Sequence, residues 1–222
     1  MKIFITRDRP WKFLNSIERT GKAVFVYRSC ITLNVIEEQE PPATDWIFFS
    51  SPSGVRLFFG RFTPNDGARI AVLGEGTASA LEETEYTAAF IPESPEILGS
   101  IKAFVAEIRE NETVLYPRST ESLLRLHEVL SPPQLVDWPF YSTSPNPPGH
   151  PVYDDYLVFT SPSNAKAYLQ SQRIRSGQRI VAIGHSTAAA IMEKGITGFL
   201  ISEAPTPEAI WKCIADDAGI PA

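Results

Sequence analysis

The chain has 222 residues, 43% of them hydrophobic and 21% charged, with a net charge of −6. That composition belongs to a folded globular chain, long enough for one large or two small cores, and excludes an intrinsically disordered one. The acidic balance argues against general nucleic-acid binding, which needs a basic footprint, yet leaves room for an anionic small molecule held by local amides and arginines.

No apolar run approaches the length of a membrane span, and the opening MKIFITRDRPW lacks the apolar core of a signal peptide, so a cytoplasmic protein without membrane contact is expected. Cys30 and Cys213 lie far apart, and His127, His150 and His185 are scattered. Neither a disulfide nor a metal site is expected from them.

In chain order, residues 2–6 (KIFIT) read as a buried strand. Arg7 to Pro10 open a helix reaching Arg19, with Phe13, Leu14 and Ile17 at helical spacing and Gly21 at its end. Residues 23–27 form a second strand, residues 28–35 are rich in β-branched side chains, and the acidic, Pro-rich residues 37–42 mark a first domain crossing. Residues 46–50 are a strand apolar on both faces, followed by a helix that Ser51 caps and Pro52 opens, with Val55, Phe58, Phe59 and Phe62 inward. The pattern predicts a strand at 69–73, a helix at 77–83, a strand at 88–91 and a helix at 95–109. A strand at 113–116, a helix at 119–130 and an extended stretch at 135–141 follow. Residues 142–151 (STSPNPPGHP) form a second crossing. Beyond it come a strand at 156–160, a helix at 163–170, strands at 179–183 and 198–201, and helices at 187–193 and 207–216. Strand–helix alternation of this kind predicts an α/β fold with parallel sheets.

The chain also repeats itself. IFFSSPSGVRLFF is matched by LVFTSPSNAKAYL, and RIAVLGEGTASAL by RIVAIGHSTAAAI. Ser51 and Ser161, Gly74 and Gly184, and Thr77 and Thr187 are all 110 positions apart. The outer strands match at nearly that offset: Arg7 with Arg118 at 111 and Tyr27 with Tyr141 at 114. Two motifs at one common offset indicate an internal duplication. The unit, about 110 residues, suits a five-stranded flavodoxin-like domain. The order of its parts implies a discontinuous first domain, 1–34 plus 144–222, and a second domain, 40–140. Crossings at 35–39 and 141–143 would form a two-strand hinge.

In parallel α/β sheets ligands bind beyond the carboxyl ends of the strands. Both repeated motifs fall there. Each Ser-Pro-Ser and Gly-x-x-Thr turn frees N–H groups and hydroxyls at a helix start, suited to carboxylates or phosphates. One such turn is ordinarily only a cap; the pairing of two such rims raises its significance. Arg7 and Arg118 end equivalent strands, where an anion would be met, whereas Arg69 and Arg179 begin strands and belong to the far end. Tyr141 ends its strand at the hinge, either as a core tyrosine or as a phenol for hydrogen bonding or proton donation. Glu37, Glu38, Glu40, Asp154 and Asp155 lie in or beside the crossings and read as solvated charge. Neither a Gly-x-Ser-x-Gly elbow nor a Gly-x-Gly-x-x-Gly turn is present, so nothing supports a hydrolase triad or a dinucleotide cofactor.

Several of these stretches together resemble the uroporphyrinogen-III synthase family: FTSPSNAKAYL, RIVAIGHSTAAAI, the closing PTPEAI, the N-terminal ITR, the YPR strand end and the YST that opens the second crossing. The resemblance spans nearly the whole chain. It implies two flavodoxin-like domains joined by a β-ladder with the site in the cleft between them, a monomer and no cofactor. It implies a linear tetrapyrrole substrate, hydroxymethylbilane, that is dehydrated and closed to uroporphyrinogen III with its last ring inverted. Transient contact with hydroxymethylbilane synthase is compatible with that role. By the same resemblance Tyr141 assists hydroxyl departure, while Thr160, Ser161, Ser163, Ser186 and Thr187, with Ser50, Ser51 and Thr77, bind side-chain carboxylates. His185 stands where the family often has proline or a small residue, and Ser50 where threonine is common. A non-enzymatic two-domain protein that closes on an anionic ligand, or a regulator derived from the synthase, would keep the same rims without needing Tyr141.

Overall fold

Alternation along the strands sets the layering of two sheets, in a computed structural model that describes residues 1–93 and 96–221. The chain divides into two compact units, Met1–Thr32 with Ser144–Ala222, and Leu33–Thr143. Unit one contains β1 (Lys2–Ile5), α1 (Lys12–Arg19), β2 (Val24–Tyr27), β8 (Tyr156–Phe159), α5 (Pro162–Ser171), β9 (Arg179–Ala182), α6 (His185–Met192), β10 (Leu200–Ile201) and α7 (Pro207–Ala218). Its five strands run β10-β9-β8-β1-β2, and every pairing is parallel. Ile3, Ile5 and Val158 pack to one side with Leu14, Ile210, Trp211 and Ile214. Phe4, Leu157 and Phe159 pack to the other with Tyr168, Ala188 and Ile191. Both faces are therefore covered, which explains why these strands read as unbroken apolar runs.

Unit two contains β4 (Trp46–Phe49), α2 (Pro52–Phe59), β5 (Arg69–Val72), α3 (Glu75–Leu81), α4 (Ile97–Ala106), β6 (Val114–Ser119) and most of β7 (Leu135–Pro145). With β3 (Ile31–Val35) at the edge, its sheet runs β3-β7-β6-β4-β5. The unit boundaries, after Thr32 and after Thr143, fall inside β3 and β7. Ile47, Phe49, Leu115 and Phe140 pack with Val55 and Phe58 on one face, and Trp46, Phe48 and Tyr116 with Ile101 and Phe104 on the other. The two sheets share a register. Trp46 pairs with Arg69 and Tyr156 with Arg179, positions 110 apart.

Several expected elements change under tertiary constraints. The helix expected over 119–130 is absent. β6 runs on to Ser119, and only a 3₁₀ turn, Arg125–Glu128, remains. The Glu121 carboxylate gathers the hydroxyls of Ser119 and Thr120, both at 2.5 Å, and the N–H of Thr143 at 3.0 Å, a local network that competes with helix formation. The strand expected over 88–91 is reduced to one bridge, Ala71 to Phe90. The helix expected over 95–109 is α4, capped by Glu96; Pro95 itself lies outside the described residues. The helix expected from Arg7 begins only at Lys12. The stretch expected to end at Tyr141 continues as β7 to Pro145, so Tyr141 lies within a strand rather than at its end.

Candidate active site

Consecutive serines follow β4, and each meets a phenol. Ser51 Oγ caps α2 by accepting the Gly54 N–H at 3.0 Å. The same oxygen lies 3.0 Å from the Tyr141 hydroxyl, contributed by β7. Ser50 Oγ lies 3.0 Å from the Tyr116 hydroxyl, contributed by β6. The two phenols approach from opposite faces of the sheet, since Tyr116 belongs to the cluster around Phe104 and Tyr141 to the cluster around Phe58. A register shift makes this possible. Arg118 pairs with Pro139 but Ser119 with Tyr141, so Phe140 is skipped and both Phe140 and Tyr141 reach the Phe58 side. Burial pushes the Tyr141 phenol above its ordinary range; Ser51 pulls it back, while Tyr116 and Glu121 push it further up. Tyr116 is raised for the same first reason, burial, against the pull of Ser50.

Thr77 turns inward in unit two. It is 2% exposed, and its hydroxyl donates to the Leu73 carbonyl at 3.0 Å. Arg118 is also committed: Nε and Nη2 hold the Asp137 carboxylate at 2.6 and 2.7 Å, and Nη1 donates to the Ser119 carbonyl at 2.9 Å. His127 Nε2 lies 3.4 Å from the same carboxylate. Burial is the largest influence on Asp137 and raises it, but the hydrogen bonds and positive charges of Arg118 and His127 together hold the carboxyl below its ordinary range.

The corresponding turn of unit one differs in its partners. Thr160 Oγ1 donates to the Thr6 carbonyl at 2.6 Å, and its N–H donates to Thr6 Oγ1 at 3.0 Å. Ser161 Oγ caps α5 and accepts both the N–H and the side-chain amide of Asn164, at 3.2 and 3.0 Å. Ser163 and Ser186 are exposed. Thr187 is fully buried, and its hydroxyl oxygen has no hydrogen-bond partner. Arg7 lays its guanidinium 4.1 Å above the centroid of the Trp11 ring.

Within unit two, the serines that follow β4 meet phenols from β6 and β7, while Thr77 and Arg118 satisfy their polar groups within the fold. In unit one, Thr160 and Ser161 do the same at the end of β8. Tyr116 and Gly54, which no sequence motif singled out as site residues, join this cluster through Ser50 and Ser51. Tyr116 sits two residues before Arg118, so strand alternation places it on the same side, and that spacing was the available signal. The far ends carry the other arginines. Arg69 pairs with Glu112 at 2.6 Å, and Arg179 donates through Nε to Asp217 at 2.9 Å. No group of three or more metal-ligating side chains occurs among the described residues, and no helix there is long and apolar enough to cross a membrane.

The family model described as Uroporphyrinogen-III synthase HemD matches residues 31–212. The chain belongs to the uroporphyrinogen-III synthase family. It is thus a cyclising lyase of tetrapyrrole and heme biosynthesis acting on a small-molecule tetrapyrrole. Its fold is similar to that of the uroporphyrinogen-III synthetase of Helicobacter pylori, at 18% identity, with a TM-score of 0.64, covering 97% of this chain and 98% of that one. It is also similar to a variant uroporphyrinogen III synthase of Thermus thermophilus, at 14% identity, with a TM-score of 0.58, covering 99% of each chain. No curated protein matches the chain.

Proposed function

We propose that Tyr141 is the group that helps the substrate hydroxyl leave when hydroxymethylbilane closes to uroporphyrinogen III. The observation that supports this reading is the Tyr141 phenol, held 3.0 Å from a serine that caps a helix. The phenol proton departs with the hydroxyl as water, leaving an azafulvenium cation on the substrate and a phenolate on the enzyme. The cation is attacked through the spiro-pyrrolenine route that inverts the last ring. The proton released as the pyrrole regains aromaticity restores the phenol, so the overall change is loss of one water. A phenol raised above its ordinary range stays protonated at neutral pH and is a donor there.

The eight carboxylates of the substrate need many weak anchors rather than one strong one. We assign them to hydroxyls and N–H groups just beyond the strand ends: Thr160, Ser161, Ser163 and Ser186 in unit one, and Ser50 and Ser51 in unit two; Thr187 and Thr77, whose hydroxyls are buried, would join only by turning outward. Arg7 and Arg118 complete the set; Arg118 would share a carboxylate only by loosening its hold on Asp137. The substrate also cyclises unaided to the uninverted isomer, so holding one conformer is the main catalytic task. The shared register, together with unit-one strands ordered 2-1-3-4-5 by their place in the unit, supports a duplicated flavodoxin-like domain crossed by β3 and β7. A cytoplasmic monomer is the form we propose for it.

The test is a coupled assay. Hydroxymethylbilane is generated in situ by its own synthase, the protein is added, and the oxidised type I and type III uroporphyrins are separated by chromatography. The expected result is type III from the wild type and a fall in turnover of about 100-fold or more in Tyr141→Phe, the lower range for loss of a general acid. Type I alone from folded protein would overturn the reading and favour a ligand-binding role.

A further inference from the structure

We infer that Ser51 is a positioning residue for Tyr141: the relay from Gly54 N–H through the Ser51 hydroxyl to the Tyr141 oxygen keeps the phenol proton available and receives the charge left when it departs. The inference rests on the proton-donor reading of Tyr141.

Donor accounting carries it. A serine hydroxyl has one hydrogen and two acceptor sites. The Gly54 N–H fills one acceptor site of Ser51 at 3.0 Å. The contact with Tyr141 then uses either the Ser51 hydrogen or the phenol hydrogen. In both cases the pair keeps one hydroxyl hydrogen for a third group. Only one arrangement survives proton transfer, because a phenolate has nothing to donate and must accept from Ser51. The Gly54 N–H polarises Ser51 in the direction that strengthens this donation. Tyr116 and Glu121, the other groups acting on the phenol, both oppose its ionisation, so Ser51 alone among the described residues favours it.

The duplicated turn shows what the relay requires. Asn164 stands 110 positions after Gly54 and gives Ser161 two donors, its N–H and its side-chain amide. Both acceptor sites of Ser161 are filled by one neighbour. At Gly54 no side chain competes, and a Cβ built there would lie 3.3 Å from Ser51 Oγ and 3.5 Å from the Pro117 carbonyl. Glycine at 54 keeps the second side of Ser51 open for a phenol. Asparagine at the matching position of the repeat closes that opening.

The test uses the full chain carrying 3,5-difluorotyrosine, whose phenols ionise at lower pH, read by ¹⁹F NMR. Among the seven tyrosines, Tyr141 is assigned by the resonance lost in Tyr141→Phe. Ser51→Gly removes the hydroxyl but leaves a residue tolerated at a helix N-cap, and Ser51→Thr keeps the hydroxyl. For Ser51→Gly the expected result is a Tyr141 midpoint raised by about one pH unit and kcat lowered roughly tenfold, beyond any rise in KM from a lost carboxylate contact. Ser51→Thr should restore both. A midpoint unmoved by Ser51→Gly overturns the inference, and so does a raised KM at unchanged kcat, which marks a carboxylate contact alone. Full turnover in Tyr141→Phe would instead sink the proton-donor reading, while the midpoint still reports whether Ser51 holds the phenol.

Discussion

Arg7 and Arg118 stand at matched positions of the repeat yet have different surroundings, and a neighbouring matched position differs with them. Arg118 is held by Asp137, whose counterpart at the 114-residue offset is Ala23. With Ala23 at that position, the Arg7 guanidinium lies over the Trp11 ring. The Arg118 pair is bidentate and largely shielded, with side-chain exposures of 9% and 32%. Removing its acceptor leaves a buried guanidinium short of partners. Asp137→Asn should therefore destabilise the protein by about 1–3 kcal/mol in a denaturant titration. The difference in acid partner was readable in the sequence, since Asp137 and Ala23 stand at matched positions.

Among the elements, caps followed local sequence closely. Ser51, Ser161 and Thr206 each cap a helix whose first residue is proline, accepting the N–H three residues on. Thr206→Ala should cost about 1 kcal/mol, measured as a lower melting temperature, with turnover unchanged because Thr206 caps the closing helix, which carries none of the proposed site residues. The stretch 119–130 shows the limit of such reading. Its apolar spacing suits a helix, but Glu121 satisfies two hydroxyls and the Thr143 N–H from a strand that is distant in sequence. Glu121→Gln weakens that network. We expect faster amide exchange at Thr143, with exchange at Val114 and Leu115 in β6 unchanged.

At the scale of the whole molecule, carboxylates set the acid limit of stability. Glu112 is held at about 2, first by the Arg109 N–H and then by Trp46 and Arg69. Asp217, Asp45 and Glu121 are also lowered. A carboxyl lower in the folded than in the unfolded chain stabilises the fold fully above its unfolded value, about 4, and loses that contribution as pH falls through its folded value. Stability measured by chemical denaturation should therefore be flat near neutrality and fall as the pH drops from about 4 towards 2. Glu112→Gln should make that fall shallower.

Strand period, helix caps, the parallel α/β class and the repeat are properties of neighbouring residues or of matched segments, so the sequence alone determined them. Family membership was legible for the same reason, through motifs that are short and contiguous. The pairing of Ser50 with Tyr116 and of Ser51 with Tyr141 joins residues 66 and 90 positions apart. It depends on β6 and β7 lying beside β4 in that order, and on the shift that skips Phe140. Pairing order and register are decided by packing between distant segments, and only the tertiary structure could place two phenols on two adjacent serines.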